Sequence, residues 1–305
     1  MKKRTKIKQL LTDAGGLRWP CQILLFAAVY YVVPALLEII IGGDLLNAIA
    51  AAQPRLWEND ASRNIIFNAA DTVMNFLSIG ALLLTFRWMN KDKSLSCVGL
   101  PKLGKREAAR LTLGLAAGAG AISAAILGEA AMGFIKLEKA GPTVWSLLMF
   151  LMLVSAAALE EVFIRGVLQF TLDRHTGTAA AVLIPSFVFG LIHLRNPSLS
   201  KLAMVNIILA GLFLALLTSR TRSLYAPIGF HITWNFFQGM VFGLPVSGND
   251  LGGDPFWRGQ AVRGADWLSG GTFGPEGTVW CTAVFILLIT ALLVCRKKKE
   301  PVTAI

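Results

Sequence analysis

The amino-acid sequence predicts an all-α integral membrane protein, a polytopic helical bundle with about eight transmembrane helices. The chain of 305 residues is 55% hydrophobic and only 15% charged, whereas soluble domains carry about 25% charged residues. The hydrophobic residues also fall into long runs, and roughly 20 apolar residues suffice to span a bilayer as a helix. The polar sequence is too sparse to cover a water-soluble core, so lipid must surround much of the chain.

Eight apolar runs predict the individual spans. The fourth run is long and carries charged residues in its second half, and the fifth is short and contains Pro185. We place the spans at residues 20–42, 64–86, 111–135, 143–172, 177–194, 202–218, 224–243 and 277–295. These spans divide the chain into residues 1–142, with three helices, a basic tail and a basic loop; residues 143–243, with four helices; and residues 244–305, with a loop and the last helix.

The basic residues predict the orientation of these helices. If both termini are cytoplasmic, about two thirds of the 29 Lys and Arg residues fall on inner segments, as the positive-inside rule requires. We therefore expect an integral protein of the plasma membrane with both termini in the cytoplasm. The first span is expected to remain uncleaved, because its apolar run is longer than the roughly 7–15 residues of a signal peptide and contains Glu38.

The net charge of +11 predicts partners as well. The basic residues flank the apolar runs, which favours contact with membrane lipid. No basic stretch is interleaved with exposed aromatic residues, so we expect no nucleic acid partner.

Three charged residues interrupt the fourth apolar run: Glu160, Glu161 and Arg165. Each ionised group deep in a span costs about 2.5–3.5 kcal/mol on insertion scales, which makes such residues functional candidates. Glu161 and Arg165 are four residues apart, so they share a helix face and can pair. Glu160 lies on an adjoining face without a local cation. The alternative is that both acids only lock helices together.

Two of the three histidines lie in apolar runs. His193 follows Phe189 by four residues and His231 precedes Asn235 by four, so each pair shares one helix face. A lone histidine in such a run is more often a core residue, but two of them together with the acids weaken that interpretation. The third, His175, falls at a predicted turn and is expected to be solvated.

The predicted hairpin of spans four and five, which turns near Gly177, brings two of these sites together. Residues equidistant from the turn lie level, so Glu160 and His193 are expected at similar depth. His231 reaches them only if segment 195–201, or the start of span seven, enters the protein. Such irregular backbone is tolerated where protein or a water-filled cavity satisfies it.

Three motifs therefore lie in separate apolar spans: EExxxR at residues 160–165, FxxxH at 189–193 and HxxxN at 231–235. Their order resembles the CPBP family of intramembrane proteases, which includes the type II CaaX prenyl endopeptidases and bacterial proteins linked to bacteriocin self-immunity. The resemblance covers roughly residues 143–243, the predicted protease core.

The resemblance implies a role for each motif residue. Glu160 would act with His193 to activate a water molecule, and His231 and Asn235 would stabilise the oxyanion of the tetrahedral intermediate. The implied substrates are membrane-associated proteins or peptides. Three further residues would hold the geometry of the site: Glu161, Arg165 and Phe189.

A metal is the alternative to this glutamate mechanism. Two histidines and a carboxylate can bind zinc and leave an open position for water, and the ligands would be Glu160, His193 and His231. An HExxH motif is absent, and the resemblance fits a glutamate mechanism better. We therefore expect no cofactor.

Two other functions compete with proteolysis. In a proton-coupled transporter, the same acid and histidines would form a proton relay; inverted repeats would favour it, and the sequence shows none. In a non-cleaving immunity or binding protein, the site would hold a partner.

Polar and small residues elsewhere predict helix packing. Asn68, Asp71 and Asn75 form a stripe expected to hydrogen-bond neighbouring helices, or else to line the water cavity of the candidate site. Gly114 and Gly118 predict a close helix contact. A further acid, Glu129, lies near the end of span three, where it can reach the membrane interface.

Overall fold

The computed structural model describes residues 12–13, 16–58, 60–89, 94–143, 145–262 and 265–295. Over these ranges the protein is mostly helical. Long apolar runs become helices because lipid cannot satisfy free backbone groups, whereas a helix satisfies them within one segment. The α-helices are α1 (Trp19–Leu37), α2 (Leu46–Ala52), α3 (Pro54–Glu58), α4 (Asp60–Met89), α5 (Lys105–Ala131), α6 (Trp145–Glu161), α7 (Phe170–Thr176), α8 (Thr178–Ile192), α9 (Lys201–Thr221), α10 (Tyr225–Phe236), α11 (Asp266–Ser269) and α12 (Val279–Val294).

Several α-helices continue directly into π-helical segments. Three segments are π-helical: Glu38–Leu45, Val162–Gln169 and Phe237–Val241. Two short segments, Leu95–Val98 and Pro275–Gly277, are 3-10 helices. The segment Val162–Gln169 overlaps the EExxxR motif, and the segment Phe237–Val241 follows the HxxxN motif. Because π-helices are rare and concentrate at functional sites, this placement favours a functional role for both motifs.

Two small antiparallel sheets complete the described structure. β1 (Thr12–Asp13) pairs with β2 (Gly16–Leu17), and β3 (Ile135–Lys139) pairs with β4 (Trp257–Ala261). The second pairing joins the segment after α5 to the long segment before α12.

The apolar helices confirm an α-helical integral membrane bundle. Within the described residues, four helical stretches are long and apolar enough to cross a membrane: Trp19–Ala52, Ser62–Met89, Lys105–Ala131 and Lys201–Thr221. α8 and α12 are shorter apolar helices. The count of eight crossings stays a prediction.

The third predicted span, residues 111–135, was placed incorrectly at its end. α5 stops at Ala131, Gly133 takes a left-handed conformation with φ of 76°, and Ile135 already belongs to β3. Glycine ends helices in this way because it has no Cβ to clash. The strand forms because β4 supplies a partner more than a hundred residues away, which the local sequence does not reveal.

The fourth predicted span, residues 143–172, is not one regular α-helix. The chain passes from α6 through the π-helical segment Val162–Gln169 into α7, which ends at Thr176. Gly177, with φ of 89°, then makes the predicted turn into α8. His175, in the last turn of α7, is exposed as expected, and its ring stacks on Trp19.

Close packing of α5 on α10 fixes the helix that carries the HxxxN motif. A Cβ atom at Gly114 would collide with the backbone of Ala226, and one at Gly118 with the backbone of Phe230. The predicted role of these glycines in helix packing is confirmed. The two helices lie so close because the glycines leave room for the opposing backbone.

The two largest of the four apolar clusters among the described residues form most of the core. One gathers side chains of α1, α4, α8, α9 and the π-helical segment Val162–Gln169. The other gathers side chains of α5, α9, α10 and α12, including the stacked rings of Trp234 and Phe285, whose centroids are 4.8 Å apart. Residues of both clusters line a cavity among the helices.

Candidate active site

A cavity of about 350 Å³ lies among the helices and takes residues from every motif. Its wall combines apolar side chains of α1, α6, α9, α10 and α12 with a set of polar ones. The polar lining residues include Glu160, His193, Asn196, Asn206, His231, Asn235, Ser247, Asn249 and Glu276. The structure therefore brings together the four residues assigned to catalysis from the sequence.

Behind the cavity wall, Glu161 and Arg165 form a buried ion pair. The Nη1 atom of Arg165 lies 2.9 Å from Oε1 of Glu161, and neither side chain is exposed. The guanidinium also donates to the carbonyl oxygen of Gly211 on α9 and lies 4.3 Å from the centre of the Phe189 ring. The predicted pairing is confirmed, and it anchors α6 to α8 and α9.

The same carboxylate of Glu161 reaches the HxxxN motif. Its Oε1 atom lies 3.1 Å from Nδ1 of His231. A carboxylate only accepts hydrogen bonds, so Nδ1 of His231 carries the proton in this contact. Its other ring nitrogen, Nε2, is left for other partners.

Glu160 differs from its neighbour because its side chain lies on the cavity wall. Its Oε2 atom is buried, and the residues that the structure describes give it no hydrogen-bond partner. A buried polar atom is nearly always satisfied by protein or by ordered water. Glu160 is therefore suited to hold a water molecule in the cavity.

His193 lies immediately after the end of α8, with φ of −92° and ψ of 0°. Its Nδ1 atom is 2.8 Å from the carbonyl oxygen of Phe189. Because a carbonyl only accepts, Nδ1 donates, and Nε2 of the neutral ring keeps a lone pair that can accept a proton.

Phe189 explains the spacing of the FxxxH motif. Its carbonyl orients His193, and its ring centroid lies 4.8 Å from that of His193 and 5.9 Å from that of His231. The ring also lies beneath the Arg165 guanidinium. One phenylalanine thus packs against charged or polar residues from all three motifs.

The turn between α8 and α9 allows His193 and His231 to share a cavity. α8 ends at Ile192 and α9 begins at Lys201, and between them Asn196 lies on the cavity wall. The amide of Asn196 donates to the carbonyl oxygen of Ser247 over 2.9 Å. Asn196 thus reaches the cavity, whereas its neighbours Arg195, Pro197 and Ser198 are exposed.

The sequence did not indicate the residues that close the cavity from the other side. Asn206, Ser247 and Glu276 line it. The last two lie in residues 244–276, termed the outer segment, for which the sequence predicted only a loop before the last helix. The only local signal was an isolated acid in Gly-Pro-Glu-Gly-Thr directly before the last apolar run.

The expectation that Glu129 reaches the membrane interface was wrong. Its side chain is fully buried, and Oε1 accepts a hydrogen bond of 2.8 Å from the hydroxyl of Thr278. The end of the outer segment folds onto α5 and covers the acid. Of the predicted polar stripe, Asn75 does bond a neighbouring helix, through Ser155 of α6, whereas Asn68 bonds its own helix.

The ligand geometry does not provide a ready metal site. A catalytic zinc ion needs about three converging protein ligands. Over the described residues, no group of three or more His, Cys, Asp or Glu side chains is arranged to hold a metal ion. Nδ1 of His193 and Nδ1 of His231 are engaged with protein oxygens, which leaves Nε2 of each ring open to water or to an ion.

Comparison with known proteins agrees with the motifs. Residues 142–237 match the model of the family described as type II CAAX prenyl endopeptidase Rce1-like. The match covers about a third of the chain and includes all three motifs. The comparison with curated proteins gave no match. The family resemblance is confirmed, and at the family level it supports an intramembrane protease of the CAAX type.

Proposed function

We propose that this protein is an intramembrane endopeptidase that hydrolyses peptide bonds of membrane-associated proteins or peptides. The observation that carries the proposal is the shared cavity. The cavity has a volume of about 350 Å³. Its wall includes four side chains from different parts of the matched segment: Glu160, His193, His231 and Asn235. That space suffices for a water molecule and a short stretch of extended peptide.

In the proposed reaction, Glu160 and His193 bind the attacking water. The free Oε2 atom of Glu160 and Nε2 of His193 both accept hydrogen bonds, and a positioned base of this kind contributes about 10²–10⁴-fold. Glu160 takes one proton as the water oxygen bonds to the carbonyl carbon. The tetrahedral intermediate then loses its amine when the C–N bond breaks and the proton passes to the nitrogen.

His231 and Asn235 are proposed to stabilise the oxyanion. Donors placed where the negative charge develops usually give the largest single contribution to catalysis. The amide of Asn235 is a donor in any protonation state. Since Nδ1 of His231 donates to Glu161, donation from Nε2 to the oxyanion requires the imidazolium form.

The proposed setting is the plasma membrane, with both termini in the cytoplasm and lipid in contact with the apolar helices. Most Lys and Arg residues flank the spans on one side, which supports this orientation and gives no reason to expect a nucleic acid partner. The identity of the peptide substrate is open to experiment, so the test below uses a library.

The test is hydrolysis by purified protein in detergent, with a library of membrane-derived peptides and mass spectrometry of the products. Glu160→Gln and His193→Ala are expected to lose at least about 10²-fold in turnover. Two exposed residues provide matched controls: Glu138→Gln on β3 and His175→Ala at the end of α7. Wild-type turnover in Glu160→Gln would reject the mechanism.

A second arm of the same assay addresses the metal. We expect turnover to survive a tight chelator and the purified protein to contain no stoichiometric zinc. Loss of turnover on chelation, with recovery on adding zinc, would show that the alternative ligand set of Glu160, His193 and His231 operates after rearrangement.

A transporter or a non-cleaving immunity protein would behave differently. Neither would give new peptide termini, whatever the library. A proton-coupled carrier would instead accumulate solute in proteoliposomes under a pH gradient. Such uptake, without hydrolysis in wild type, would replace the proposal.

A further inference from the structure

One buried carboxylate on the cavity wall has no part in the proposed chemistry. Glu276 lies just before α12, with its side chain almost wholly covered. Its Oε1 atom accepts a hydrogen bond of 3.1 Å from Nε1 of Trp234. Its Oε2 atom accepts hydrogen bonds from the side-chain amide of Gln238, at 3.3 Å, and from both the backbone amide and the hydroxyl of Ser247, at 2.5 and 2.7 Å.

All four partners of this carboxylate are neutral donors. Oε2 accepts three of the four hydrogen bonds and Oε1 accepts one, so both oxygens of the carboxylate have a donor. A carboxamide cannot take its place without loss, because its NH₂ group would face a donor whichever way it turned. The arrangement is therefore specific for Glu at this position.

Ser247 is held in an unusual conformation at this contact. Its φ of 48° lies in the left-handed region, which residues other than glycine seldom adopt. Backbone strain of this kind persists where surrounding contacts over-determine it, and it concentrates at functional sites. Here the backbone amide and the hydroxyl of Ser247 are both fixed by Glu276.

The strained segment is tied to the proposed catalytic groups from two sides. The carbonyl oxygen of Ser247 accepts from Asn196, whose backbone amide in turn donates to the carbonyl oxygen of His193 over 3.0 Å. On the other side, Trp234 directly precedes Asn235 on α10. One carboxylate is thus bonded, through one or two steps, to the turn of His193 and to the helix of Asn235.

We propose that Glu276 is a positioning residue, which holds Ser247 in its left-handed conformation and so sets the outer wall of the cavity where the substrate peptide is seated. The proposal rests on the proposed protease function. It goes beyond the family resemblance, because Ser247 and Glu276 both lie outside the matched residues 142–237. Glu276 touches neither the attacking water nor the scissile bond in this scheme.

The first test is the KM and kcat of Glu276→Gln on a peptide that wild type cleaves. Displacement of Ser247 from the cavity wall should raise KM about tenfold. Displacement of the catalytic groups should lower kcat as well, since a shift of about 1 Å can cost up to about 10²-fold. A merely structural role would lower the amount of active enzyme and leave KM unchanged. Glu138→Gln is the matched control.

The second test is rescue by glycine. Glycine adopts positive φ without strain, so Ser247→Gly in the Glu276→Gln background should keep the backbone in place without the carboxylate and bring KM back toward the wild-type value. Ser198 provides the control: it also has positive φ, at 56°, but it is exposed and does not line the cavity. Ser198→Gly should not change KM in either background.

A third variant decides the matter if Glu276→Gln does not fold. Ser247→Val leaves Glu276 intact but disfavours positive φ, because a β-branched residue is strongly restricted there. It should raise KM about tenfold. Folded Ser247→Val with wild-type KM would overturn the proposal, as would equal rescue by Ser198→Gly.

These outcomes separate the proposal from the function on which it rests. If wild type shows no hydrolysis, or if Glu160→Gln is as active as wild type, the proposed function fails. If wild type cleaves, Glu160→Gln does not, and Glu276→Gln keeps the wild-type KM, only the role of Glu276 fails.

Discussion

Two buried carboxylates beside the cavity, Glu161 and Glu276, have opposite kinds of hydrogen-bond partner. Behind the wall formed by α6 and α10, Glu161 is neutralised by a cation one helical turn away, Arg165, and the same oxygen of Glu161 accepts from His231. On the wall formed by the outer segment, Glu276 accepts from four neutral donor groups on two separate stretches of chain: the helix that carries Trp234 and Gln238, and the loop that carries Ser247. The first wall depends on opposite charge, and the second depends on the exact path of the backbone.

This difference has consequences for mutation. A buried charge that loses its counter-charge becomes strongly unfavourable, whereas a hydrogen-bonded group that loses one donor keeps the others. We therefore expect substitutions at the Glu161 ion pair to lower the free energy of unfolding. Substitutions at the hydrogen bonds of Glu276 should mainly displace the groups that line the cavity. The following three predictions test that comparison, from the largest effect to the smallest.

Removal of Arg165 should have the largest effect. Arg165→Met leaves Glu161 buried without a cation, and loss of one partner of a buried pair costs about 3–5 kcal/mol. Reversible unfolding in mixed detergent and denaturant would measure the change in the free energy of unfolding. The double variant Glu161→Gln/Arg165→Met removes both charges and should recover part of the loss. A loss in Arg165→Met below 1 kcal/mol would contradict the charge-pairing account.

Gly118→Ala should have an intermediate effect through α10. The added Cβ would meet the carbonyl oxygen of Phe230 and the hydroxyl of Thr233, and overpacking typically costs about 1–3 kcal/mol. Since α10 carries His231 and Asn235, turnover should also fall, by about 10-fold or more.

The neighbouring Gly120 gives a matched control for that substitution. A Cβ atom there would have no neighbour within 4 Å, so Gly120→Ala should leave turnover unchanged. It should also raise the free energy of unfolding by about 0.5–1 kcal/mol, because alanine loses less backbone freedom in a helix. Equal effects at Gly118 and Gly120 would show that the α5–α10 contact does not set the site.

Thr278→Val should have the smallest of the three effects. The hydroxyl of Thr278 lies 2.8 Å from both Oε1 of Glu129 and the carbonyl oxygen of Pro275, and it accepts from the backbone amide of Cys281 at the start of α12. Valine keeps the shape but removes these bonds, at a cost of about 1–2 kcal/mol. Thr112→Val is the control, because Thr112 is exposed and its hydroxyl bonds only its own helix. A cost above that of Arg165→Met would reverse the order of the two walls.

Local geometry explains which parts of the candidate site could be predicted. Glu161 and Arg165 pair because residues four apart on a helix are neighbours whatever the rest of the fold does. The same rule placed Phe189 beside His193. In contrast, the contact of His231 with Glu161 joins two helices, and the sequence required only that segment 195–201 or the start of span seven enter the protein, without showing which.

The glycines of α5 illustrate an intermediate case. The spacing of Gly114 and Gly118 predicted a close helix contact, and small residues at this spacing always create a surface that another backbone can approach. The partner, α10, was not predictable, since many helices could offer a backbone. That choice is what places the HxxxN motif on the cavity.

By itself, the sequence determined that lipid surrounds the helices, that a charged pair sits inside one of them, and that three motifs characteristic of a protease family lie in separate apolar runs. These features depend on composition and on spacings of a few residues, which helix geometry fixes. Only the tertiary structure decided that Glu129 is buried, that the outer segment closes the cavity, and that Glu276 and Ser247 meet. Those contacts join residues tens to more than a hundred positions apart, and they depend on the path of every turn between them.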